Sequence, residues 1–385
     1  MRLERTVIWR RRIAAVSAIV GLGVAMLVLV LAVGADGAGS GYSPSPISSK
    51  LTPLQLAGQR VIYSYKGLTP PASLLRAIRR GEAAGVVFFS GNISSSAQLH
   101  TVATQLQNAA QQSPVKLPLL LMTDQEGGQV RRLPGAPIYS EKQIGESSDP
   151  ASAARRAGRG AGLNLKKAGL NVNLAPVLDV YRKAGNFIDE FGRSYSSNSH
   201  VVATLGADFI TKQQQVNVAA TVKHFPGIGA AARTQDTDSV PVTLRLTKSQ
   251  IRNVDELPYR SAITAHTDLV MVSWARYPAL DSKYPAGLSP TIVHGELRSR
   301  LKFKGVTITD ALEAGALKGF GGTSERAFLA ARAGMDLILC ASKSAGQGAA
   351  ADKALGNALT AHHLARSTFV AEVNRVLTLR HGLKG

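Results

Sequence analysis

The chain has 385 residues, 45% hydrophobic and 18% charged, a balance that allows a sizeable core and excludes wholesale disorder. Lys plus Arg total 45 against 25 Asp plus Glu, a net charge of +20; this is either a solvated basic surface or attraction to an anionic lipid or acidic envelope polymer. Nucleic acid is not an expected partner, because aromatics are only 5% and no basic block is interleaved with them.

Arg2, Arg5, Arg10, Arg11 and Arg12 precede an uncharged, mostly apolar run from Ile13 to Val33. At ~1.5 Å per helical residue such a run crosses a ~30 Å hydrocarbon core, and arginines on its N-terminal side place residues 1–12 in the cytoplasm and the rest outside the cell membrane. A signal peptide cut near Ala35–Ala38, releasing a secreted protein, is the competing reading. Residues 34–50, rich in Gly, Ser and Pro, read as a flexible linker, so that residues 51–385 are left to fold as a single domain.

Short apolar runs then alternate with longer stretches of helical composition. The expected strands are Arg60–Tyr63, Gly85–Phe89, Leu117–Met122, Val172–Ala175, Val218–Val222, Leu269–Val272, Val306–Thr309 and Leu337–Leu339. Expected helices include Pro71–Arg80, Ser96–Gln112, Ala151–Ala168, His200–Gln215, Ser289–Leu301 and Thr323–Ala333. Strands that are apolar throughout fit a parallel sheet covered by helices. Eight of them in strand–helix alternation give an α/β fold of the (β/α)8 TIM-barrel class. An open doubly wound sheet is the alternative, but no glycine-rich dinucleotide fingerprint follows the first strand. The single cysteine, Cys340, lies in the apolar run MDLILCA; it offers neither a disulfide nor a metal cluster.

Catalytic groups of such barrels gather where strands give way to the following loops. Here those positions hold Asp124, Asp179, Arg193, Lys223, His224, Ser273, Trp274 and Asp310. Any one Asp after a strand is as readily a turn or helix cap, but five such endings converge on one rim. Lys223 closes an apolar strand and needs an anionic or hydroxyl-bearing partner to offset its desolvation. Carboxylates with Arg, Lys and His, and no metal cluster or phosphate-binding loop, suit a polyhydroxylated ligand. Glycoside hydrolysis needs two groups about the anomeric carbon.

The motifs TDQEGGQVRRL, NLAPVLDV, FGRSYSS, KHFPGIG and GVTITDAL, in this order, resemble glycoside hydrolase family 3, in its single-domain β-N-acetylglucosaminidase (β-N-acetylhexosaminidase) branch. The resemblance runs from about Leu51 to Leu379 and implies a TIM barrel, a retaining two-step mechanism, no metal and no cofactor. It implies Asp310 as nucleophile, Asp124, Arg193, Lys223 and His224 as sugar ligands, and Arg132 facing the distal part of the substrate.

Two departures stand out. Where the branch has KHFPGHG followed by Asp-Ser-His, this chain has Ile228 and then Thr234, Gln235 and Asp236, so the acid/base histidine is absent; Gln129 stands in place of the arginine of EGGR. Asp236 is the expected replacement acid/base, because partial desolvation raises a carboxyl toward the working range, and Asp238 is the second candidate. The expected function is a monomeric, extracytoplasmic retaining hydrolase releasing β-linked N-acetylglucosamine from peptidoglycan-derived cell-wall glycan. The alternative is a non-catalytic protein that binds sugar or wall polymer.

Overall fold

The computed structural model describes residues 47–383. The Ile13–Val33 segment and most of the linker lie outside the described residues, among which no helix is long and apolar enough to cross a membrane. Residues 47–50, assigned above to the linker, belong to the folded body: Ser48–Lys50 form a 3-10 turn with Ser48 buried, and Ile47 packs on the core.

Eight parallel strands form the sheet: β1 Val61–Tyr63, β2 Gly85–Val87, β3 Leu120–Thr123, β4 Val172–Asn173, β5 Ala219–Phe225, β6 Leu269–Val272, β7 Val306–Thr309 and β8 Ile338–Leu339. Each pairs with its sequence neighbour, β8 returns to β1 through Val61–Ile338 and Ile62–Leu339, and a bridge from Ile308 to Leu337 closes the ring. The expected (β/α)8 barrel is the observed fold.

The strands are apolar throughout because both faces are buried. Ile62, Val87, Leu120, Met122, Met271 and Ile308 fill the barrel interior, while Val61, Tyr63, Val86, Leu121, Val222 and Ile338 belong to the layer beneath the helices. Strand limits moved where backbone chemistry intervenes. β3 begins at Leu120 instead of Leu117 because Pro118 has no N–H for the ladder. β5 runs three residues beyond Val222, carrying Lys223, His224 and Phe225 within the sheet. The expected Ser289–Leu301 helix is present as Thr291–Arg300, wound in the wider π geometry.

The C-terminal helix Arg366–Gly382 seals the barrel at the ends where the strands begin. Its Val376 and Leu379 join the interior cluster, and its Arg380 donates to the carbonyls of Leu117 and Pro118 just before β3. Glu372 pairs with fully buried Arg60 at 2.7 Å, and Arg375 and Arg298 both bind the Asp336 carboxylate before β8. These buried ion pairs close the end of the barrel where the strands begin, and the loops of the opposite rim carry the groups described next.

Candidate active site

A cavity of about 200 Å³, room for a single monosaccharide, opens at the C-terminal ends of the strands. Val87, Leu174, Met271 and Leu339 of the barrel interior close its floor, and Asp124, Glu126, Arg132, Arg193, Lys223, His224, Asp236, Asp238 and Asp310 line its walls. A larger cavity of about 650 Å³ lies outside the barrel between helices Ala72–Arg79 and Ala345–Thr360, and holds none of these groups.

The end of β5 builds one wall. Successive residues of a strand normally face opposite sides, yet Lys223 and His224 both border the cavity; the peptide between them is cis, and the register of β5 against β6 shifts between Val222 and Phe225. Lys223 Nζ lies 2.7 Å from both Asp124 Oδ1 and Glu126 Oε1, so the partner required by a buried lysine is supplied twice. His224 Nδ1 lies 2.8 Å from Asp179 Oδ2, and the other Asp179 oxygen accepts from the backbone N–H of Ile228 at 2.7 Å. One fully buried carboxylate thereby fixes both the imidazole and the loop that follows it.

Asp124 and Glu126 come from the loop after β3. Glu126 is brought back into the cavity by a tight ribbon, Gln125–Gly127 against Val130–Arg131. Its bend depends on Gly127 (φ 123°), where a Cβ would lie 2.2 Å from the carbonyl oxygen of Tyr139. Arg193 grips Glu126 with two bonds of 2.9 Å, and Arg132 stands 3.6 Å from Asp124. Burial by itself would raise both carboxyls, but Lys223 and Arg132 hold Asp124 below its usual value, and Arg193 and Lys223 hold Glu126 down at about 2. Burial likewise disfavours the Lys223 cation, and the two carboxylates outweigh it and raise its pKa. The cluster is a rigid, fully charged lattice of donors and acceptors.

Asp310 follows β7 directly, with Oδ1 accepting from the N–H of Ala311 at 2.7 Å. The loop after β5 is stitched to the loop after β7: the N–H groups of Gly315 and Ala316 donate to the carbonyls of Asp238 and Thr237 at 2.7 and 3.0 Å. Within the first of these loops, Asp236 accepts from the Asp238 N–H at 2.9 Å and from the Ser239 hydroxyl at 2.8 Å, one bond to each oxygen. Asp238 stands at the open edge of the cavity. The charge of Asp310, then partial burial, then Asp236, raise its carboxyl to about 7.

The family model for the glycosyl hydrolase family 3 N-terminal domain matches residues 55–379. The chain belongs to glycosyl hydrolase family 3. An uncharacterized secreted glycosyl hydrolase of Arthroderma benhamiae is 47% identical over 329 residues, 85% of this chain and 93% of that one. A β-hexosaminidase of Stenotrophomonas maltophilia is 32% identical over 66% of this chain and 75% of its own. Among solved structures, a family 3 β-N-acetylglucosaminidase from Paenibacillus superposes with a TM-score of 0.82 at 33% identity, over 87% of this chain but 64% of that longer one.

The seven residues singled out from the sequence, Asp124, Arg132, Arg193, Lys223, His224, Asp236 and Asp310, all border the one cavity. Ser273 and Trp274 do not: Ser273 meets the Tyr277 hydroxyl, and the Trp274 indole N–H holds the Ala311 carbonyl in place. Of the two departures from the family pattern, Ile228 puts an apolar side chain into the cavity wall, whereas Gln129 is exposed outside it. The strand-end pattern of the sequence does not single out Glu126, although the glycine pair after it marks a bend that returns it to the site. Asp179 reads in the sequence only as a strand-end residue; nothing in NLAPVLDV signals that it faces His224. Among the described residues no group of three or more His, Cys, Asp or Glu is arranged to hold a metal.

Proposed function

We propose that the protein is a retaining β-N-acetylhexosaminidase that removes a β-linked amino sugar one residue at a time. The observation that carries this reading is the monosaccharide-sized cavity in which Asp310 faces a fixed lattice of Asp124, Glu126, Lys223, Arg193 and His224. The lattice supplies the hydroxyl ligands that hold a pyranose, and hydrogen bonds that tighten as the ring distorts toward the transition state. Asp310 attacks the anomeric carbon and the bond to the leaving oxygen breaks. That oxygen takes a proton from an acid on the loop after β5, which then deprotonates the water that hydrolyses the glycosyl enzyme.

Of the two acids on that loop, Asp238 is the proton carrier in our reading. Asp236, favoured from the sequence alone, has each oxygen engaged by a donor of its own loop and serves to position Asp238. We place the activity outside the cell, acting on wall glycan, with residues 13–33 as anchor or signal; the secreted relative supports the extracytoplasmic placement. The test is hydrolysis of a chromogenic N-acetyl-β-glucosaminide by the soluble domain, with a mechanism-based fluorosugar to trap the intermediate. Label on the peptide containing Asp310, and loss of turnover in a folded Asp310→Asn variant, are the expected results. Label on another carboxylate, or turnover undiminished in the variant, removes Asp310 from the role.

A further inference from the structure

The net charge of +20 has no part in the catalytic reading, and the fold sorts it by position. Among the described residues, the carboxylates left exposed are those of Glu146, Asp149, Glu190, Asp238, Glu313 and Glu325. Each lies in a connection from a strand to the following helix, or in that helix's first turn, on the half of the barrel that carries the cavity. The opposite end differs. The turns leading into β2, β3, β4 and β7 expose Arg79, Lys116, Lys166, Lys167, Lys302 and Lys304. The acids of that end are covered: Glu82 is buried and paired with Arg80, Asp336 with Arg298 and Arg375, and Glu372 with Arg60, while Asp268 is half-buried. Cations in a helix's last turn answer the helix dipole, and Arg79, Lys166 and Lys167 stand there. Lys116 and Lys304 lie beyond the last turn of any helix. Lys116 (φ 50°) and Lys302 (φ 61°) also hold left-handed backbone that favours glycine, so charge is carried there at a cost in backbone strain.

Resting on the extracytoplasmic placement proposed above, we infer that this end of the barrel is a docking face for an anionic lipid bilayer, which turns the catalytic mouth away from the membrane. Two observations favour a bilayer over a polyanionic chain. The cations are spread around the end, before three adjacent strands on one side and before β7 on the other. A plane meets all of them together, whereas a single polymer strand meets only those along its path. The chain also enters the barrel from this end: the described residues start at Ile47, and Ser48–Lys50 pack on the C-terminal helix that seals it. Residues 34–46, between the apolar run and Ile47, can span at most about 45 Å. A barrel tethered through Ile13–Val33 therefore stays close to the lipid, and the tether raises the effective concentration at which the basic face meets it. The attraction is of the kind that lysines next to an anionic leaflet provide, and it fades within about a Debye length.

The test reconstitutes the full chain in vesicles of phosphatidylcholine, alone or mixed with phosphatidylglycerol, and maps lysine acetylation by a membrane-impermeant reagent with mass spectrometry. At low salt, Lys166, Lys302 and Lys304 should react several-fold more slowly on the anionic vesicles than on the neutral ones. Lys183 and Lys318, on the catalytic rim, should react equally on both, and high salt should remove the difference. Reversing the charge in Lys166→Glu, Lys302→Glu and Lys304→Glu together should abolish the protection of Lys116 and Lys167 and leave turnover of the aryl glucosaminide unchanged. Equal acetylation of the wild type on both vesicles, or protection of the catalytic rim instead, overturns the docking face. Protection by a soluble polyphosphate chain but not by lipid overturns the bilayer as its occupant. The hydrolase reading is tested separately by turnover in the same vesicles, and the outward placement by protease added to intact cells.

Discussion

If Asp238 donates the proton, its titration sets the alkaline limb of the reaction. A carboxyl titrating at about 7 is about nine-tenths protonated at pH 6 and about one-tenth at pH 8, so kcat/KM for a disaccharide should fall about ten-fold between them. An alkoxide leaves only with a proton, whereas a nitrophenolate leaves without one, so the limb should be shallow or absent for the aryl glycoside. Asp238→Asn should slow the disaccharide by ~10² to 10⁴-fold and abolish the limb, with the aryl substrate affected far less. The shift itself has a checkable origin: Asp310 is its largest cause, so carbon NMR of Asp310→Asn should show the Asp238 carboxyl titrating well below 7. An Asp238→Asn enzyme that keeps its disaccharide rate and its alkaline limb refutes the assignment. Selective loss in Asp236→Ala would move the role two residues back, and loss in neither would pass it to His224, whose ring Asp179 already orients.

Three further outcomes follow from the same structure. Lys223→Met leaves Asp124 and Glu126 buried without their shared cation, so the apparent melting temperature should drop by the equivalent of about 3 to 5 kcal/mol; a variant as stable as the parent contradicts the lattice as drawn. Asp352, in the outer cavity, is raised to about 8 first by burial and then by Glu82. The folded protein therefore holds a proton there that the unfolded chain has released above about pH 4, and stability falls as pH rises toward 8. Asp352→Asn should be more stable relative to the parent at pH 9 than at pH 5 by thermal melting, and an equal difference at both pH values would count against it. Protease added to intact cells should remove the barrel; protection until lysis would reverse the orientation expected from the arginines before Ile13.

What could be read from the sequence followed from burial. A strand apolar on both faces has no reason to end in a lysine unless it meets a partner, and that reasoning marks Lys223; the gathering of functional groups at the strand ends of a barrel marks His224, Asp124 and Asp310. It failed where position depends on a bend or on contacts across the barrel. Glu126 reaches Lys223 only because Gly127 reverses the chain, and Asp179 reaches His224 from the loop after β4, 45 residues earlier. The order of merit of Asp236 and Asp238 was likewise invisible, since it turns on which carboxylate the loop consumes for its own hydrogen bonds. The resemblance to family 3 supplied the roles that burial alone leaves open.

The two backbone bonds from Gly315 and Ala316 to Asp238 and Thr237 have a kinetic meaning. A proton donor borne by a free loop must be ordered anew in every cycle, and its arrival can limit turnover and respond to solvent viscosity. Under the proposed assignment, nucleophile and donor descend from loops that the Gly315 and Ala316 N–H groups fasten to each other, so the distance between them is set when the chain folds. A lengthened loop on either side would disturb both half-reactions together, glycosylation and hydrolysis alike.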